Sequence, residues 1–189
     1  MTKETVHVDL SDRSYDIHIG PNLLPDTGRY IKPFLKRNHV AIITDETVAG
    51  LHLATLEAGL AAEGITAVTL KLTPGEATKS WDNLQKTVEW LLSERIERDD
   101  VVIAFGGGVI GDLAGFSAAI LRRGVRFVQI PTSLLAQVDS SVGGKTGINS
   151  PHGKNLVGAF YQPQLVLADV EVLGSLKPRD FLAGYGEVV

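Results

Sequence analysis

The sequence has no cysteine among its 189 residues. That excludes a disulfide framework and a thiolate zinc site and agrees with a reducing compartment, so cytoplasm is the expected location. No uninterrupted apolar run approaches the ~18 residues that a membrane-spanning helix needs. Met1 to Leu10 mixes charges with alternating apolar residues where a signal peptide would carry an apolar core, so neither membrane insertion nor secretion is expected. Excess positive charge is missing as well: 18 Lys and Arg against 22 Asp and Glu leave a formal net charge of −4. Nucleic acid is therefore not an expected partner, and any anionic ligand must be met by local basic groups. What is present, 44% hydrophobic residues, suffices for one substantial core.

The apolar residues carry two rhythms. Val6, Val8 and Leu10, then Tyr15, Ile17 and Ile19, alternate with polar residues on either side of Ser11 to Ser14, the pattern of a half-exposed β-hairpin capping the start of the fold. Short continuous runs follow at Val40 to Ile43, Ala67 to Leu72, Val101 to Phe105, Val125 to Ile130 and Leu165 to Ala168. Such runs read as strands buried on both faces of a parallel sheet. Between them, Trp81, Leu84, Val88, Leu91 and Leu92 fall on one stripe of a helix spanning Ser80 to Glu94, and both tryptophans, Trp81 and Trp90, are expected in or near the core. The predicted fold is α/β: a Rossmann-like, mostly parallel sheet with helices on both faces and an N-terminal β-hairpin.

Gly106 to Gly111 matches G-x-G-x-x-G, follows the most apolar run and precedes a helix-like stretch from Asp112 to Leu121. Glycines there let the backbone approach a pyrophosphate, whose charge meets the N–H groups and positive end of the following helix. No acidic residue ends the next strand, where a ribose-binding Asp would be expected; Asp45, closing the earlier run, could serve from a neighbouring unit or cap the helix beginning at Glu46. Asp112 is a first-turn acid, which beside a pyrophosphate would have to face a ribose or nicotinamide hydrogen bond.

Val138 to Gly147 invites comparison with a nucleotide P-loop but has Asp139 where that motif needs glycine, so a kinase or ATPase is not expected. What remains is a polar loop from Gln137 to Asn155 with Lys145, Lys154, Asp139 and Asn155. Lysines meet phosphate or carboxylate, while Asp and Asn hold hydroxyls, a set suited to a polyhydroxylated anionic substrate.

These residues, taken in order, resemble the 3-dehydroquinate synthase family of the shikimate pathway of aromatic amino acid biosynthesis. The resemblance rests on Pro74-Gly75-Glu76 with Lys79, Gly106 to Asp112, Arg123 to Phe127, Pro131-Thr132-Ser133, Gln137 to Thr146 and Gly153 to Phe160. It implies NAD contacts from Asp45, Gly75, Glu76 and Lys79, from Gly107, Gly108, Val109, Ile110, Gly111 and Asp112, from Thr132 and Ser133, and from Val172, Leu173, Gly174 and Ser175. It further implies that Asp139, Lys145, Lys154 and Asn155 meet the substrate, with both lysines serving the cofactor too. Arg123 would be lent across a homodimer interface to the substrate phosphate, and Glu187 would be the first ligand of a divalent metal, zinc or cobalt. The implied reaction converts 3-deoxy-D-arabino-heptulosonate 7-phosphate, an anionic sugar phosphate, to 3-dehydroquinate and phosphate. Pro74 and Gly174 depart from common acidic and lysine residues of the family, so backbone contacts are expected there. His152 reads as a surface residue, and His7, His18, His39 and His52 are assigned to no site.

Members of that family run to roughly twice this length, with a helical C-terminal domain carrying two metal-binding histidines. The resemblance therefore implies an NAD-binding domain over residues 1–177 and the start of a truncated helical domain over 178–189. It predicts NAD binding without synthase activity, with Glu187 on a helix that exposes apolar surface. A related sugar-phosphate cyclase, or a non-catalytic NAD-binding or dimerisation module, stays open as an alternative.

Overall fold

A computed structural model of the chain describes residues 2–188. Seven strands form one sheet in the order β1-β2-β9-β6-β5-β3-β4. The strands are β1 (Glu4–Val8), β2 (Tyr15–Gly20), β3 (His39–Asp45), β4 (Thr66–Leu72), β5 (Val101–Gly106), β6 (Arg126–Pro131) and β9 (Leu165–Asp169). All neighbouring pairs are parallel except β1 with β2. The five apolar runs are therefore the strands expected of them, and every residue of central β5 is buried, as a strand covered on both faces requires. The N-terminal hairpin is not a separate cap, because β2 hydrogen-bonds alongside β9 and continues the sheet to its edge.

Helices cover both faces. On one, α4 (Trp81–Ser93) and α5 (Gly108–Ile120) place Leu84, Leu91, Leu113 and Phe116 against Ala41, Ile43, Val102 and Phe127. On the other, α1 (Thr27–Ile31) and α3 (Ala54–Ala61) bring Ile31, Leu56 and Leu60 onto Val40, Ile42, Ile103 and Val128. Local chemistry starts these helices. Ser80 accepts from the Asn83 N–H at the start of α4, and Asp45 accepts from Thr47 and Val48 at the start of α2 (Glu46–Val48), which continues through a π-turn over Ala49–Leu53 into α3. Each cap satisfies N–H groups that the helix cannot pair internally.

Three expectations need correction. Trp81 and Leu92 lie on the stripe of α4 but are 51% and 46% exposed; Trp81 is the helix's first residue and reaches past the core to border a surface groove with Ile120. Helix α5 begins at Gly108 rather than at Asp112, so the glycine turn contains its first turn. Much of the stretch from Gln137 to Asn155 is regular: after a π-turn at Ala136–Ser140, β7 (Lys145–Ser150) and β8 (Gly153–Phe160) form an antiparallel ribbon. Buried Ile148 anchors this ribbon to the α5 face, together with Val157 and Ala159, and Gly115 of α5 leaves room for the Thr146 side chain.

Candidate functional site

Parallel strands deliver their following loops to one edge of a sheet. Asp45 follows from β3, Gly75 and Glu76 from β4, Gly107 and Gly108 from β5, Thr132 and Ser133 from β6, and Val172 to Ser175 from β9. Adjacent β3 and β5 send their chains to opposite faces, to α3 and to α5. That divergence opens the crevice in which open α/β sheets receive ligands. The glycine turn stands at its mouth. The α5 N-terminus has Gly107 at its cap and no side-chain cap, so the first-turn N–H groups are available to an anion and the helix dipole favours one there. A Cβ at Gly108 would lie 2.9 Å from Ser140 Oγ, and one at Gly111 would lie 2.8 Å from Gln129 Oε1 of β6. The backbone approaches its neighbours where side chains would intrude, and the free N–H groups at the helix start are the donor set that suits a pyrophosphate.

Beside the turn lies a buried cation. Lys79 is 4% exposed; its Nζ donates to Asp112 Oδ2 at 2.6 Å and to Asn155 Oδ1. Burial pushes the Asp112 carboxyl above the ordinary carboxylate range, against the opposing pull of the Lys79 ammonium. Asp112 and Asn155 line a cavity of about 520 Å³ together with Asp139, Ser140, Lys145 and Phe160. Four of the residues expected to meet cofactor or substrate thus share one concavity, with a lysine and two carboxylates on its walls.

Asn149, unassigned from the sequence, holds this arrangement at three points. Its Nδ2 donates to Glu76 Oε1 at 2.7 Å, its Oδ1 accepts from the Asn155 N–H at 2.9 Å, and its own N–H donates to the Lys79 carbonyl at 2.9 Å. The sequence signal was an amide residue immediately before a Ser-Pro turn. His52 was likewise unassigned. It meets Ser175 Oγ at 2.7 Å, and because the Ser175 hydroxyl is itself committed to the Val172 carbonyl at 2.7 Å, His52 Nε2 is the donor. Burial lowers the His52 pKa, with the Asp169 carboxylate opposing. The contact ties the π-turn Ala49–Leu53 to the 3₁₀ segment Val170–Ser175.

The remaining expected residues do not line this cavity. Asp45 is engaged as a helix cap through Oδ1, and Ser133 Oγ accepts from the Ala136 N–H at 3.3 Å. Lys154 is exposed on β8 and is not among the residues lining the cavity. Arg123 is exposed at the amino end of β6, the edge opposite the glycine turn, in a segment where Arg122, Arg123 and Gly124 all have positive φ. Glu187 is exposed in a turn after α6 (Pro178–Tyr185), not on the helix; the nearby Leu182, Tyr185 and Val188 are exposed apolar groups, as expected. Among the described residues no three His, Cys, Asp or Glu side chains are grouped to hold a metal. Glu187 alone does not make such a site.

Comparison with known proteins agrees with this geometry. The family described as 3-dehydroquinate synthase N-terminal matches residues 69–183. A 3-dehydroquinate synthase of Roseobacter denitrificans is 70% identical over 186 residues, covering 98% of this chain and 50% of the relative. The chain spans about half the length of the curated relatives it matches. A solved 2-deoxy-scyllo-inosose synthase complexed with carbaglucose-6-phosphate, NAD+ and Co2+ superposes with a TM-score of 0.89 at 28% identity, over 98% of this chain and 50% of the other. A 2-epi-5-epi-valiolone synthase from Streptomyces hygroscopicus with NAD+ and Zn2+ bound gives 0.85 at 30% identity, over 96% and 50%.

The buried pair makes a stability prediction. Lys79→Met leaves Asp112 without its counter-charge and should cost about 3 kcal/mol in urea unfolding, whereas Lys79→Met with Asp112→Leu should recover most of that loss. Additive losses would show that the two groups are not coupled.

Proposed function

This chain belongs to the 3-dehydroquinate synthase family, and from that premise we propose that it holds NAD across the carboxyl edge of its sheet, beside the cavity that receives the sugar phosphate. The observation that carries the reading is the uncapped, glycine-lined start of α5 at the divergence of β3 and β5. The proposed reaction is conversion of 3-deoxy-D-arabino-heptulosonate 7-phosphate to 3-dehydroquinate with loss of phosphate, a lyase activity. Identity of 70% to a 3-dehydroquinate synthase, against 28% and 30% to the two other cyclases, favours this branch.

The N–H groups of Gly108, Val109 and Ile110 hold the pyrophosphate, and Asp45, Gly75 and Glu76 flank the adenosine side with Val172, Leu173, Gly174 and Ser175. Lys79 keeps Asp112 in place, leaving Asp112 Oδ1, which has no partner among the described residues, to accept from a ribose or nicotinamide group. NAD held by these residues would supply a reversible hydride acceptor for a ring alcohol of the substrate, chemistry that would acidify the neighbouring C–H ahead of phosphate loss. Asp139 and Asn155 hold substrate hydroxyls, while Lys145 and Lys154 meet its anionic groups as point charges. Cobalt and zinc accompany NAD in the two cyclase structures, but residues 2–188 supply no such ligand set. In this reading the 189 residues by themselves bind NAD without turnover. Residues 1–177 form the cofactor domain in this reading, with 178–189 as the first part of a second one, and cytoplasm is the compartment that suits biosynthesis.

The chain also forms a homodimer in this reading. Trp81 and Ile120 are exposed and border one surface groove at the end of α5, a short step along the chain from Arg123, whose position at the edge opposite the glycine turn suits a group offered to a second copy.

Two measurements test these statements. Calorimetry should detect NAD binding in the micromolar to millimolar range, weakened at least roughly tenfold by Gly108→Val, which intrudes on the cradle, and less by Asp45→Ala; absence of binding at millimolar NAD contradicts the reading. Light scattering should find a dimer that Ile120→Asp converts to monomer, and a wild-type monomer at high concentration would dispose of the interface.

A further inference from the structure

Residues on the cofactor side and the substrate side of the cavity come from distant parts of the chain, and only a few contacts bind one to the other. Glu76 and Lys79 follow β4, whereas Asn155 lies on β8. Asn149 stands between them. Register in the ribbon slips there: Ile148 pairs with Val157 and Ser150 with Gly153, so Lys154, Asn155 and Leu156 oppose the single Asn149. Irregularities of this kind re-aim side chains near functional sites. Asn155 sits at the slip with φ +57°, and its N–H is received by Asn149 Oδ1.

The amide orientation is set by its partners. A backbone N–H needs an acceptor and the Glu76 carboxylate needs a donor, so a flipped Asn149 would lose both bonds. Its backbone N–H adds the third tie, to the carbonyl of Lys79, and Lys79 closes the loop by donating to the Asn155 side chain. No other described residue bonds to all three of Glu76, Lys79 and Asn155.

We propose that Asn149 is a positioning residue that couples the two sides of the site: its side chain sets Glu76 for the cofactor and shapes the Asn155 turn for the substrate, while its backbone N–H holds the Lys79 carbonyl. The inference rests on the NAD reading above and adds to it the route by which the ribbon and the nucleotide edge are kept in mutual register. Asn149 itself touches neither ligand in this assignment; it acts through Glu76, Lys79 and Asn155.

Calorimetric titration with NAD tests it, because stoichiometry counts the molecules that are folded and the dissociation constant reports how well those bind. Asn149→Asp retains the acceptor for the Asn155 N–H but sets a second carboxylate against Glu76, and should weaken NAD about tenfold at unchanged stoichiometry. Adding Glu76→Gln restores a donor-acceptor pair with the amide on the opposite side, and should return affinity to within about threefold of Glu76→Gln alone. Asn149→Ala, which introduces no charge, should weaken binding without being rescued by Glu76→Gln. An Asn149→Asp dissociation constant equal to wild type overturns the proposal, as does failure of the rescue. So does a fall in stoichiometry with affinity unchanged, which marks a residue that only supports the fold. Absence of NAD binding by the wild-type chain is a separate result, and it removes the cofactor reading and this inference together.

Discussion

An ammonium group taken out of water must find oxygens to replace the solvent it has lost, or it will not stay buried. Lys79 finds them on two separate elements, Asp112 in the first turns of α5 and Asn155 on the β8 strand. That requirement makes one site of three pieces of chain. If the ribbon shifts, the lysine loses an acceptor; if α5 shifts, it loses its counter-charge. The cavity between these elements is therefore held by electrostatic need as well as by apolar packing, and Asp112 bears the cost as a carboxyl whose charged form is disfavoured by burial.

Much of this was legible in the residues. Runs such as Val101 to Phe105, short and rich in β-branched residues, read as strands buried on both faces, and Gly106 to Gly111 has a spacing whose use is backbone approach. With the strands parallel, Asp45, Glu76, Gly108 and Thr132 had to reach one edge, and they do. The ribbon of β7 and β8 was not legible because glycines at 147, 153 and 158 and the slip at Asn149 erase the alternation that marks a strand; what makes it regular is its seat on α5. Trp81 defied its helical stripe because stripe position says nothing of where along a helix the core ends. Glu187 lies two residues past the end of α6, where the helix gives way to a turn, and helix ends are the least sharply marked feature of a sequence.

Asn149 and His52 escaped for a different reason. Neither carries a motif, and each acts by tying together segments far apart in sequence: His52 reaches Ser175, 123 residues away, and Asn149 reaches Glu76, 73 residues away. Spacing rules read one element at a time, whereas such ties depend on which loops the sheet order brings to a common edge. Residues that position others are thus found from topology, and residues that meet ligands more often from sequence.

In the proposed reading NAD meets the start of α5 and the Asp112 and Asn155 wall of the cavity together. Amide NMR of the isotope-labelled chain titrated with NAD locates the ligand without relying on turnover. Saturable shifts are expected at Gly107, Gly108 and Val109, with Lys79 and Asn155 moving on the same binding curve. Saturable shifts confined to other surfaces, with the glycine turn unmoved, would contradict it.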